Sequence, residues 1–388
     1  MKRSDIKQNA PGKMVKTSTG YFAFIPAPLP PHIQWSDRLL AILSKADRGI
    51  AKLSEVGASF PAPHVVVRPF IRREAVVSSR IEGTRTSFQE LLTYEARQLP
   101  LLENPDAHEV HNYVKALDYG LDRVASLPVS QRLIREVHAR LMQGVRGEYA
   151  TPGEFRRTQN WIGGPGATLQ TASYVPPPVE KMLVCLSDLE KYIHSPSDLP
   201  PLIRIGLIHY QFEAIHPFLD GNGRVGRLLV SLLLSVWDLL PQPLLCLSAY
   251  FETHRQEYYD QLLSVGQKGT WEAWLEFFLK GVDQQAKEST GLLQKLSDIR
   301  LEFGKLISQE RTRKTLAHAV DFLIGQPILT VSQLQDGIGL NNFVTAQRCV
   351  DRLIELGILR QLGRRSRNRL FVADEILKGI EGELDSED

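Results

Sequence analysis

The sequence predicts a mainly α protein with a few short β pieces and more than one domain. Three observations predict it. Apolar residues recur at helical spacing along most of the chain, as at Ile205, Ile208, Phe212 and Ile215. The interruptions that read as extended chain are brief, at residues 21–31, 156–178 and 327–372. A length of 388 residues exceeds one small domain. Hydrophobic content of 43% permits sizeable cores, and a formal net charge of +2 gives no overall bias toward nucleic acid or membrane. Cys185, Cys246 and Cys349 are odd in number and far apart, which fits neither a disulfide framework nor a zinc knuckle. The longest apolar run, residues 228–237, is too short for a bilayer, and no apolar core follows the charged start Met1-Lys2-Arg3. The expectation is a soluble cytoplasmic protein without a membrane partner.

Residues up to Lys16 are polar and read as loose, and residues 21–25 as a short extended piece. Pro26, Pro28, Pro30 and Pro31 impose an extended strap. Residues 36–56 form a helix capped by Ser36, and a second helix runs from Pro69 toward Glu82 and stops at Gly83. Helical patterns follow at 88–98, 106–125 and 130–142, the last with Leu133, Ile134, Val137 and Leu141 on one face. At 156–175 the pattern breaks. Gly163, Gly164, Pro165 and Gly166 lie between Trp161-Ile162 and residues 169–175, which reads as a hairpin or flap closed by Pro176, Pro177 and Pro178. Helices are expected at 179–193, 203–215, 224–237, 255–265, 271–284 and 288–306.

From Thr312 the texture changes. Helix to Gly325, strand 327–330, helix 331–337, helix 342–356 and strands 358–362 and 369–372 make the order of a winged helix-turn-helix. Its loop carries Arg364, Arg365 and Arg367, and with Arg360 and Arg369 these form a patch that could meet DNA phosphates. Such a domain serves equally for docking or homodimerisation. The tail 381–388 is acidic and expected to be disordered.

The chemistry concentrates in His216-Pro217-Phe218-Leu219-Asp220-Gly221-Asn222-Gly223-Arg224-Val225-Gly226-Arg227. Pro217 ends the preceding helix and holds His216 away from helical geometry. Gly221, Asn222 and Gly223 let successive amides turn to one point at the start of the next helix, where the dipole favours an anion. Asp-Gly-Asn-Gly is also ordinary turn chemistry. A base four residues before it, and two arginines sharing the helix's first turn, favour an anion site.

This segment resembles the signature of the Fic family, whose members transfer AMP from ATP onto protein hydroxyls. The pattern His-Pro-Phe-x-(Asp/Glu)-Gly-Asn-(Gly/Lys)-Arg-x-x-Arg is matched at every defined position. The resemblance implies a Fic-type helical bundle with a short β-hairpin flap, plus the C-terminal winged helix-turn-helix domain. Its divisions would be an N-terminal region at 1–105, a catalytic core at 106–290, a linker helix at 291–311 and the winged domain at 312–388. His216 would be the general base and Asp220 the Mg²⁺ ligand. Gly221, Asn222, Gly223, Arg224, Val225, Gly226 and Arg227 would hold ATP, with the Asn222 side chain as a further donor. Phe218 would pack beneath the loop. Tyr258 and Tyr259 resemble adenine-side tyrosines but read equally well as core aromatics. Trp161, Ile162, Gly163 and Gly164 resemble the flap that aligns a target segment carrying the accepting hydroxyl. Ser78-Ser79-Arg80-Ile81-Glu82-Gly83 matches the inhibitory pattern (Ser/Thr)-x-x-x-Glu-(Gly/Asn), so Ser78, Glu82 and Gly83 would form a switch in which Glu82 occupies Arg227. Three rivals stand. They are a relative transferring phosphate or another nucleotide-borne group, which Gly223 in place of Lys disfavours, a nucleotide-sensing DNA-binding regulator, and a metal site at His209, Glu213 and His216, which Pro217 disfavours.

Overall fold

The computed structural model describes residues 6–97, 104–145, 151–164, 166–363 and 368–382. Among the described residues the fold is mainly helical with two small antiparallel sheets. Its elements are β1 (Gly12–Lys16), β2 (Phe22–Pro26), α1 (Asp37–Ser59), α2 (Pro63–Ile81), α3 (Phe88–Arg97), α4 (Pro105–Arg123), α5 (Gln131–Leu141), α6 (Val179–His194), α7 (Pro201–Ile215), α8 (Asn222–Val236), α9 (Leu247–Thr253), α10 (Arg255–Lys268), α11 (Trp271–Leu306), α12 (Arg313–Gly325), β3 (Ile328–Leu329), α13 (Val331–Gly337), α14 (Phe343–Glu355), β4 (Arg360–Leu362), β5 (Leu370–Val372) and α15 (Asp374–Glu381). The chain divides into two compact units. One comprises Met1–Ala51, Lys115–Pro241 and Leu247–Gln285, the other Lys52–Val114, Gln242–Cys246 and Ala286–Asp388.

The first unit is built around α7. From Leu202 to Ile215 every residue except Arg204 is buried, so this helix has no solvent face. Pro201 starts it at the position where a missing N–H costs nothing. It packs against α6, α8, α10 and β2, and Trp274 of α11 donates from Nε1 to the Gly206 carbonyl at 2.9 Å. Helix α5 is capped by Ser130 and lays Leu133, Ile134, Val137, His138 and Leu141 into this core, packing against α8 and α6.

Within the N-terminal stretch expected to be loose, Gly12–Lys16 form a strand: β1 pairs with β2 from Gly12↔Pro26 to Lys16↔Phe22. The turn between them is closed by Thr17, whose N–H and Oγ1 both donate to the Tyr21 carbonyl. A five-residue strand holding only Met14 and Val15 as large apolar residues leaves little alternation to read. Strand β2 continues into the flap through the Phe24 N–H, which donates to the Val175 carbonyl at 2.9 Å. The flap itself is held by one antiparallel bridge, Ile162↔Tyr174, with bonds of 2.9 and 3.1 Å. Pro165, within the expected flap tip, lies outside the described residues.

In the second unit α2 begins six residues before the expected Pro69, with Pro63 in its first turn. Pro69 sits inside the helix and removes one backbone bond. Burial of Val66, Pro69 and Phe70, and the packing of α2 on α12 and α3, outweigh that loss. Helix α12 also packs on α13 and α14, and β3, β5 and β4 form a three-stranded antiparallel sheet in that order. A capping box between Thr330 and Gln333 starts α13, and Asn342 caps α14.

One further expectation is corrected. The two helices at 271–284 and 288–306 are one, because Gln285-Ala286-Lys287 contains nothing that breaks a helix. Helices α9 and α15 were not anticipated, each being too short for a decisive period. Arg364, Arg365, Arg367 and the acidic tail from residue 383 lie outside the described residues. Among the described residues no helix is long and apolar enough to cross a membrane, and all three cysteines are buried and free.

Candidate functional site

The connection from α7 to α8 takes its shape from two left-handed residues. His216 closes α7 at φ 50°, ψ 62°, its N–H donating to the Phe212 carbonyl, and Gly221 opens α8 at φ 78°. The first is a non-glycine residue in a disfavoured region, which surrounding structure must enforce. Glycine at 221 is required twice over. Its φ is positive, and a Cβ there would come within 2.9 Å of Met142 Sδ.

His216 is half-buried, and its Nδ1 lies 3.2 Å from the Glu213 carbonyl oxygen. A carbonyl only accepts, so Nδ1 carries a proton, and in the neutral imidazole the lone pair falls on Nε2. The geometry therefore presets the tautomer that a general base needs.

Asp220 is exposed at the tip of the loop. Its Oδ1 accepts the Gly221 amide at 2.6 Å and stands 3.7 Å from an Arg224 nitrogen. The Gly221 amide is thus committed within the loop. The first intrahelical bond of α8 runs from Val225 N–H to the Gly221 carbonyl, so the amides of Asn222 and Gly223 precede it and face the helix mouth. Arg224 and Arg227 are only 4% and 3% exposed and add two positive charges to the same end. Gly226 lets α8 approach α7, since a Cβ there would overlap the Glu213 carboxylate and meet the Phe212 ring at 3.2 Å. Val225 is buried in the core.

Several residues do other work than expected. The Asn222 side chain is engaged within the loop. Its Oδ1 accepts the Phe218 amide and its Nδ2 donates to the Phe218 carbonyl, at 2.8 and 2.9 Å, which staples the loop. Phe218 is fully buried beneath the loop, as expected. Tyr258 is a core aromatic: it is buried, stacked on Phe251 at 4.4 Å, and donates to His209 Nε2 at 2.8 Å. Tyr259 is exposed, with the Arg255 guanidinium over its ring. Both His209 nitrogens are occupied, Nδ1 donating to the Gly226 carbonyl at 3.1 Å, so His209 cannot join a metal site with Glu213 and His216. Burial, with Arg227 nearby, pulls His209 down to about 3, a neutral core imidazole. Among the described residues no group of three or more His, Cys, Asp or Glu could hold a metal. The exposed Asp220 carboxylate at the loop tip is a hard oxygen donor of the kind Mg²⁺ prefers.

Three supporting residues were missed. His138 accepts the Gly153 amide at Nδ1, donates from Nε2 to the Asp220 carbonyl at 3.0 Å, and stacks on Phe218 at 3.7 Å. Burial, ahead of the Arg224 charge, pulls it down to about 4. Arg156, 1% exposed, donates to the carbonyls of His216, Thr158 and Pro177 at 2.9, 3.3 and 2.6 Å. Asn160 donates from Nδ2 to the carbonyls of Phe218 and His216 at 2.7 and 3.2 Å. The sequence offers little signal for Arg156: its neighbour Arg157 is a surface cation paired with Glu154, and nothing local distinguishes them. His138 could have been found on the apolar face of α5.

In the flap, Trp161 and Ile162 are exposed large apolar residues, and Gly163 and Gly164 are exposed beside them. Tyr174 anchors the return strand by donating to the Ala214 carbonyl at 2.7 Å. In the second unit, Ser78 is buried and α2 ends in a Schellman arrangement. Gly83 (φ 103°) donates to Arg80 and Thr84 to Ser79, with Glu82 as the exposed cap.

Comparison with known proteins fits this geometry. Residues 40–122 match the Fic/DOC family N-terminal region and residues 128–234 the Fic/DOC family. The chain is 33% identical over 131 residues to the protein adenylyltransferase Fic of Drosophila grimshawi, covering 32% of this chain and 25% of that protein. Against the protein of the same name from Culex quinquefasciatus it is 28% identical over 190 residues, 47% of this chain and 34% of that one. The chain thus spans about a quarter to a third of these relatives. A Fic family protein from Desulfovibrio desulfuricans G20 shares the fold, with a TM-score of 0.58 at 20% identity over 89% of this chain and 98% of that one. Two family segments matched in series, around a loop whose signature is complete, lead to one conclusion: the chain belongs to the Fic/DOC family.

Proposed function

We propose that this protein is a protein adenylyltransferase that moves AMP from ATP to a Ser, Thr or Tyr hydroxyl of a target protein. The observation that carries this reading is the contact of His216 Nδ1 with the Glu213 carbonyl, which in the neutral ring leaves Nε2 as the basic nitrogen, in the loop that leads to the α8 amides. In the proposed reaction His216 takes the hydroxyl proton as the target oxygen bonds the α-phosphorus. The bond from that phosphorus to the β-bridging oxygen breaks, and pyrophosphate leaves. The amides of Asn222 and Gly223 and the cations Arg224 and Arg227 stabilise charge on the phosphates. Gly221 turns the loop into α8, while Gly226 and Val225 seat α8 in the core, so all three hold the mouth in shape. Asp220 would hold Mg²⁺, which supplies charge neutralisation at the phosphates when bound. Tyr259, whose ring is exposed, is a better adenine-side candidate than Tyr258.

Trp161, Ile162, Gly163 and Gly164 would receive the target as an added strand, a role favoured by their exposure. Glu82 would restrain the enzyme by occupying Arg227 in place of the γ-phosphate. The Schellman cap supports this reading because it fixes the end of the helix that carries Glu82. We read residues 312–388 as a winged helix-turn-helix used for docking or homodimerisation. The ion pair of Arg360 with Asp374 leaves less charge for DNA phosphates. The divisions at 1–105, 106–290 and 291–311 follow as functional regions, and the free buried thiols suit the cytoplasm. Incubating Glu82→Gly protein with α- or γ-labelled ATP, Mg²⁺ and cell extract tests the reading. Protein label from the α-position alone is expected; label from the γ-position alone would assign phosphate transfer instead.

A further inference from the structure

We propose that Arg156 is a positioning residue for adenylyl transfer, fixing the His216 base and both ends of the flap in one frame. The inference rests on the adenylyl-transfer reading above. Among the described residues its side-chain partners are backbone carbonyls from three separate segments: Thr158 where the flap begins, Pro177 where it ends, and His216 itself. Its own amide donates to the Pro217 carbonyl at 2.9 Å. A guanidinium presents donors in several directions at once, which neither an ammonium nor an amide can match here. A buried cation whose partners are carbonyls rather than a carboxylate is costly, and this one is spent beside the proposed base.

The link to the ring is geometric. The His216 N–H is held by Phe212, which restrains φ, and its carbonyl is held by Arg156 and Asn160, which restrains ψ. With the left-handed backbone pinned at both ends, Cβ has one direction, and Nδ1 meets the Glu213 carbonyl. Without Arg156 the residue is expected to relax toward ordinary backbone and swing the imidazole away. The flap would loosen together with the base. A second link stiffens the same frame: Gln159 donates to the Pro176 carbonyl and accepts from Tyr21 Oη, at 3.0 and 3.1 Å.

The test compares Arg156→Gln and Arg156→Lys with the parent, counting folded sites by the stoichiometry of ATP binding. In Arg156→Gln, kcat per ATP-binding site is expected to fall about 100-fold, the scale of a small misplacement of reacting groups. KM for the protein target should rise while ATP affinity holds. Arg156→Lys, which keeps the charge but reaches fewer carbonyls, should recover only part of the loss. If Arg156→Gln does not fold, Arg156→Lys decides alone. Fewer binding sites with full kcat and unchanged target KM per site would mean a mere staple and overturn the proposal. A second arm needs no activity, so failure of the transfer reading is distinguishable. In ring-¹⁵N histidine spectra, the His216 signals, identified by their loss in His216→Ala, should show the Nδ1-protonated tautomer in the parent and a mixture in Arg156→Gln. An unchanged tautomer would also overturn it.

Discussion

His216 and Gly221 are the two left-handed residues of the loop, and only the glycine adopts that conformation at no cost. Gly221→Ala is therefore expected to destabilise the protein by about 1–3 kcal/mol in chemical denaturation, from backbone strain and the clash with Met142. Beneath the loop, the neutral imidazoles of His138 and His209 make stability pH-dependent. Burial holds them at about 4 and about 3, whereas in the unfolded chain each titrates near 6.5. Below pH 6.5 the unfolded chain binds protons that the folded chain refuses. Their contribution is thus complete above pH 6.5 and is lost as the pH falls toward 4. It amounts to roughly 3 kcal/mol for His138. His138→Gln should flatten the slope of unfolding free energy against pH in that window; an unchanged slope would remove His138 from the account. At this scale the sequence was legible where residue type dictates backbone geometry, as at His216 before Pro217 and at Gly221. It was silent where burial decides, since Arg156 and Arg157 are the same residue with opposite surroundings.

Helix α2 and the flap are the elements on which regulation and targeting would depend. The Gly83 stop was readable because a Schellman cap demands positive φ. The start of α2 was not, because tertiary burial overrode Pro69. If Glu82 restrains the enzyme, Glu82→Gly should raise AMP transfer on the order of tenfold or more, within the usual range of coupling between sites. No rise would sink the switch. Exposed Trp161 gives the flap an apolar anchor. Trp161→Ala should raise KM for the target by roughly tenfold, as loss of one anchoring aromatic does, and leave ATP affinity unchanged. Equal losses in both would make Trp161 a structural residue. The β1–β2 hairpin, which supports the flap through Phe24 and Tyr21, was hidden because its pairing is non-local and its strands are short.

On the scale of the whole molecule, helical periodicity made the mainly α class legible, and most helix ends fell near their caps. The two compact units were not legible, because their residues interleave along the chain and a linear reading expects consecutive domains. What the molecule assembles is an imidazole, held at Nδ1 by the Glu213 carbonyl, in the loop that opens a positively charged helix mouth. The most direct measurement uses Glu82→Gly protein with and without His216→Ala, α-labelled ATP, Mg²⁺ and cell extract, with ATP binding followed by calorimetry. The account predicts labelled target bands from the first protein, none from the second, and equal ATP affinity in both. Label transfer persisting in the protein without His216 would contradict it.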